Sequence, residues 1–205
     1  MTRRRRVVLC AIAAVFLAGC SEAPKESAKT KEPEKPPEPV TGRYAFYQMY
    51  GAARLWAPDL QGLRLTSIHL ENVESEPGMA GAWEAVFVSP SRQRARRYTY
   101  SVIEAYGNLH KGVFAGLEEN YVKRQAAPWN IQALKTDSTD AYKAALKKSA
   151  EYAKKNPKSR ISFILEQTSR HPYLTWRVIW GASVGTSDYS VYVNASTGDY
   201  IETMR

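Results

Sequence analysis

Leu174-Thr175-Trp176-Arg177-Val178-Ile179-Trp180 is the stretch that decides the fold. Leu174, Trp176, Val178 and Trp180 alternate with Thr175, Arg177 and Ile179, a period of two that sets one face of a strand against a core. Working outward, Tyr189 to Val193 reads as the next strand. Asn194-Ala195-Ser196-Thr197-Gly198 reads as a hairpin loop with Gly198 placed for a positive φ, and Asp199 to Thr203 as the return. Upstream, Arg160 to Thr168 is a strand. Before it, Tyr142, Ala145, Leu146, Ser149, Tyr152 and Ala153 trace one face of a helix, with lysines 143, 147, 148, 154 and 155 on the other. Asp137-Ser138-Thr139-Asp140 opens that helix as a variant capping box, and Asn156-Pro157 closes it.

The preceding stretch has the same order. Arg43 to Ala57 reads as a helix from Ala45, Met49, Ala52 and Trp56, stopped by Pro58-Asp59. Leu63 to Val73 is a strand, Glu76-Pro77-Gly78 a turn, and Trp83 to Val88 a second strand. A charged loop, Ser89 to Arg97, leads to a third strand, Tyr98 to Tyr106. Gly107-Asn108 turns, Val113-Phe114 opens a short fourth strand, and Glu118 to Pro128 reads as a connector. Trp83-Glu84-Ala85-Val86-Phe87 overlays Trp176-Arg177-Val178-Ile179-Trp180 at an offset of 93. Tyr100-Ser101-Val102 overlays Tyr189-Ser190-Val191 at 89, which makes the first hairpin loop about four residues longer. Two unrelated amphipathic hairpins are the alternative, but the shared element order favours a duplication. The expected fold class is α+β: two tandem repeats, 43–123 and 124–205, each a helix packed on an antiparallel sheet of three to four strands.

The closing run Tyr189-Ser190-Val191-Tyr192-Val193-Asn194-Ala195-Ser196-Thr197-Gly198-Asp199-Tyr200-Ile201, after a helix and strands, resembles the end of a PepSY domain. The likeness covers about the last 70 residues, and the first repeat only by analogy. It implies an α+β unit of envelope or secreted proteins that binds and modulates proteases or other envelope proteins. No catalytic residue set comes with it.

Leu17-Ala18-Gly19-Cys20 resembles the lipobox of bacterial lipoproteins, after Arg3 to Arg6 and the apolar run Val7 to Ala18. That run is shorter than the roughly 20 residues a spanning helix needs. Residues 1–19 are thus expected to be a signal peptide. Cys20 is the expected site of lipidation by diacylglyceryl and palmitate, and the chain would be held by lipid in a bacterial envelope. A plain secretory leader, a short membrane anchor and twin-arginine export remain alternatives. Ser21 fits sorting to the outer membrane, on its periplasmic face, if the cell is Gram-negative. Residues 20–42, rich in Pro, Lys and Glu, read as a disordered linker reaching about 60 Å in polyproline geometry. Cys10 lies in the leader, so the processed chain keeps Cys20 alone and forms no disulfide. Losing Arg3 to Arg6 takes Lys+Arg from 29 to 25 against 20 acids, a charge of +5. So mild a charge argues against a nucleic-acid partner.

Gly181-Ala182-Ser183-Val184-Gly185 spells G-x-S-x-G, but the chain runs on into a strand, where a nucleophile elbow needs a helix. His69, His110 and His171 have no metal-ligand spacing, so neither metal nor cofactor is expected. Arg92, Arg94, Arg96 and Arg97 crowd the first hairpin loop and form a candidate site for an anionic partner; a solvated loop tip is the plain alternative. The expected function is a non-enzymatic accessory module that binds another envelope protein or peptide, with strand addition as one mode. A serine hydrolase using Ser183 and a passive envelope scaffold are the alternatives.

Overall fold

Thr41 caps the first helix, α1 (Gly42–Ala53), its hydroxyl accepting from the Tyr44 N–H. Gly42, Ala45, Phe46, Met49 and Ala53 recur every three or four residues and are buried. The helix ends at Ala53 rather than Ala57, because the Leu55 and Trp56 N–H groups turn back to the Ala52 and Ala53 carbonyls. Trp56 therefore leaves the helix face on which the spacing placed it.

The computed structural model describes residues 36–74, 76–187 and 189–205. The expected signal peptide, Cys20 and most of the linker lie outside these residues. The first part of the described chain supplies β1 (Val40–Thr41), β2 (Gln61–Ile68), β3 (Met79–Ala80), β4 (Ala82–Ser89), β5 (Arg94–Ser101) and β6 (Gly112–Asn120). The second supplies β7 (Ala126–Ala127), α2 (Ser138–Lys155), β8 (Ile161–Thr168), β9 (Thr175–Trp180), β10 (Ser190–Asn194) and β11 (Tyr200–Met204). The main sheet runs β6-β5-β4-β2-β8-β9-β10-β11 with every neighbour antiparallel; β7 pairs beside β8 and β1 pairs with β3.

The fold is α+β: two helices packed on one large antiparallel sheet, within a single compact unit spanning 36–205. The halves meet where β2 pairs β8, through Arg64 opposite Glu166, Leu65 opposite Leu165 and Thr66 opposite Ile164. α1 lies over β4 and β5, and α2 over β9 and β10. Trp83 and Trp176 stand edge to face at 6.3 Å between them, each 6.1 to 6.3 Å from Phe163. The Trp83 indole donates to the Val40 carbonyl (3.0 Å) and the Trp176 indole to the Thr136 carbonyl (2.9 Å), in each case two residues before a helix begins.

The helix N-termini also touch. The Thr41 hydroxyl donates to Asp137 Oδ2 (2.8 Å), and Asp137 Oδ1 accepts from both the Ser138 and Arg43 N–H groups. One carboxylate thus serves two helix starts, where the backbone N–H groups have no helical partner of their own. Gly42 is required here: a Cβ would come within 2.8 Å of Trp176 and 2.9 Å of Trp83 ring atoms.

Several expected boundaries move. β2 stops at Ile68, and Leu70 and Val73 fold over Ala82 with Leu109 as a small second core. β5 begins at Arg94 and ends at Ser101, so three of the four arginines lie in a strand and only Pro90 to Gln93 turn. The expected short strand and the first residues of the expected connector, Glu118 to Asn120, form one nine-residue strand, β6, and the rest of the connector leads to β7. Trp83 sits opposite Tyr100 and Trp176 opposite Val193, so Tyr100 corresponds in register to Val193, not Tyr189. The offset of 93 therefore holds through both hairpins, and the expected difference in their length is absent.

Candidate functional site

Three of the four arginines gather around β6. Arg92 donates to the Trp56 carbonyl (2.8 Å) and to Glu118 Oε2 (3.2 Å), with its guanidinium 5.4 Å from the Trp56 ring centre. Arg94 Nε donates to Glu118 Oε1 at 2.7 Å, and the same guanidinium bonds Asn120. Arg96 donates to the Gly116 carbonyl and lies over Tyr98. Arg97, on the opposite face of the sheet, sits 3.5 Å from Glu84. The Trp56 indole bond, then the Arg94 bond, holds the Glu118 carboxyl below its ordinary range. The arginines thus have local partners within the protein. Their residue types suggested an anion site; the pairing of β5 with β6, which brings up Glu118, Asn120 and the Gly116 carbonyl, was not legible in them.

The outer edge of β6 is differently made. Gly112-Val113-Phe114-Ala115-Gly116-Leu117-Glu118-Glu119-Asn120 contains no Lys, Arg or Pro. Sheet edges are usually protected by such residues or by distortion. Here the register shifts once, between the pairs made by Arg96 and Tyr98, where Gly116 and Leu117 together stand opposite Arg97. Leu117 is 86 % exposed, Phe114 39 % and Val113 36 %. The His110 ring packs 4.6 Å from Phe114 and pairs with Glu104.

Ser183 lies in the loop between β9 and β10, its hydroxyl 3.0 Å from Thr186 Oγ1. A single 3-10 turn, Val184–Thr186, follows before the chain enters β10. The strand, strained turn and helix of a nucleophile elbow are not formed at Ser183. His69 is held below its ordinary pKa by burial and by Arg160. Among the described residues no three His, Cys, Asp or Glu side chains converge as a metal site.

A second polar group, which sequence reading did not assemble, lies on the sheet face away from the helices. His171, only 6 % exposed, shares Glu202 with Arg170: His171 Nε2 is 2.9 Å from Glu202 Oε1, and Arg170 donates to Oε2 at 3.0 Å. Those bonds, Arg170 first, hold the Glu202 carboxyl below its ordinary range. The His171 and Tyr192 rings lie 4.5 Å apart, and burial raises the Tyr192 hydroxyl pKa. Arg64 pairs with Glu166 at 2.6 Å. A cavity of about 290 Å³ opens among Glu166, Thr175, Arg177, Tyr192 and Met204. The alternation that placed Trp176 inward also placed Arg177 outward, and that was the available signal.

No family model, curated protein or solved structure matches this chain. Chemically, the molecule thus offers an apolar sheet edge on one half and a polar hollow on the other.

Proposed function

We propose that this is a lipid-anchored protein of a bacterial envelope, held at Cys20, that binds an extended segment of another envelope protein as an added strand on β6. The reading rests on one observation: β6 is a nine-residue sheet edge without Lys, Arg or Pro, carrying Val113, Phe114 and Leu117 toward solvent. Backbone bonds from an added strand give affinity, and side-chain contacts at alternate positions give selectivity. Partners rich in alternating apolar residues fit the exposed Phe114 and Leu117.

The same reading takes the chain as a tandem duplication of a PepSY-like unit. Its support is the mirror order of strands about the β2–β8 pair and the two equivalent indole bonds. Hydrolysis at Ser183 and passive scaffolding have no comparable observation in their favour.

A photo-crosslinking residue at position 117, introduced in living cells, is expected to capture an envelope protein that the same residue at position 200 does not. A peptide from the captured region should slow amide exchange across 112–120, and Ala115→Pro should abolish that protection. Protection elsewhere, or none, defeats the reading. Palmitate labelling that survives Cys20→Ser would remove the anchor from it.

A further inference from the structure

Arg177 is the side chain whose surroundings ask for something more. Its Nε donates to Ser190 Oγ (3.1 Å), its Nη2 faces the Met204 sulfur at 3.5 Å, and its guanidinium lies 5.3 Å from the Tyr192 ring centre. A thioether is a weak acceptor and a ring face accepts no strong hydrogen bond, so a guanidinium with five donors keeps most of them unsatisfied by protein. Arg177 forms no ion pair among the described residues, whereas its neighbours Arg64 and Arg170 each hold a carboxylate. The cavity therefore carries one uncompensated positive charge.

The hollow is also built rather than incidental. Thr175 and Ser190 beside Arg177 are 3 % and 2 % exposed, and Tyr192 is 8 % exposed. Its volume of about 290 Å³ is at the small end for ligand cavities. Glu166 and Glu202 stand close by with their own cations. A dianion would meet both acids, whereas a single carboxylate would meet the donors that Arg177 keeps free at its Nη1 and Nη2 end, which match it in plane and in spacing.

We infer that the Arg177 hollow binds a carboxylate group of a small ligand, either free or as the C-terminus of a peptide, with its apolar part against Tyr192 and Met204. The site is separate from the β6 edge and stands whether or not a strand is added there.

The test is titration of the purified full chain, followed by NMR, with N-acetylleucine, its amide, an N-acetylated tripeptide acid ending in leucine, and inorganic phosphate. Saturable binding of either acid, at least tenfold tighter than the amide, with shifts at the Arg177 guanidinium, is the expected result. Tighter binding of the tripeptide would identify a chain terminus as the source, and of N-acetylleucine a free acid. Arg177→Gln should weaken binding at least tenfold. Arg177→Lys, which keeps the charge and loses the fork, should weaken it less, and decides the matter should the Gln variant fail to fold. Equal binding of acid and amide, tighter binding of phosphate, no saturation, or unchanged affinity in both Arg177 variants would overturn the inference.

Discussion

The two halves of the sheet agree at the centre and part company at the rim. Near β2 and β8 they share a capped helix, an indole bonded to the carbonyl two residues before that helix, and a hairpin of the same span. At the rim, the first half ends in β6, nine residues long with apolar side chains in water, and its arginines are spent on Glu118, Glu84 and backbone carbonyls. The second half ends in β11, five residues long, beside a hollow whose central arginine has no acid. The difference teaches that the central contacts set the architecture, while the outer strands differ in surface chemistry.

The strongest test of that likeness is at the tryptophans. Trp83→Ala and Trp176→Ala each remove a fully buried indole and its hydrogen bond, and each is expected to cost about 3–5 kcal/mol in urea denaturation. A variant that costs less than half the other would break the equivalence. Next come the caps. Asp137→Ala deprives both helix starts and the Thr41 hydroxyl, so it should cost about 2 kcal/mol, at the upper end for a cap. Thr41→Ala should cost about 1 kcal/mol in the same urea titrations.

Acid sharpens the comparison further. In the first half, the Ser89 hydroxyl and then the Ser91 N–H lower Asp59 from 3.8 to about 2. A folded-state pKa below the unfolded one adds stability that is full above pH of about 4 and is lost as pH falls toward about 2. Ser89→Ala should flatten that limb of the acid-unfolding curve. Glu202, lowered mainly by Arg170, supplies the second half with a loss of the same sign, which Arg170→Gln should shrink. The smallest effect is at the edge: Leu117→Lys should change stability by less than about 0.5 kcal/mol, since Leu117 is already in water. It should nevertheless weaken capture of the β6 partner.

How much of this was legible varies with the range of the interactions. The alternation of Leu174, Trp176, Val178 and Trp180 fixed β9 and its inward face, because strand patterning is local. The Trp83 and Trp176 correspondence was legible for the same reason. β6 was not: Gly112 to Asn120 mixes exposed apolar and acidic residues and shows no clean period, since an edge strand with little burial has no core to impose one. The Tyr-Ser-Val triplets misled because letter identity ignores register, which puts Tyr189 opposite Trp180 rather than opposite Trp176. The hollow around Arg177 draws on residues from 125 to 204, and only the folding of four strands and a turn brings them together.

The pairing of β2 with β8 has a consequence for assembly. Three residue pairs bridge the halves there, the Gly62 and Trp129 backbones exchange two further bonds, the Phe163 N–H donates to the Ser67 hydroxyl, and the two helix starts bond to each other. The segment from 121 to 137 fastens the same seam: β7 pairs with β8, Trp129 stacks on Phe46, and Ile131 and Leu134 lie in the core. Exchange of β8 between two molecules would have to strip those contacts first, so the connection between the halves works as a clasp against an intertwined dimer.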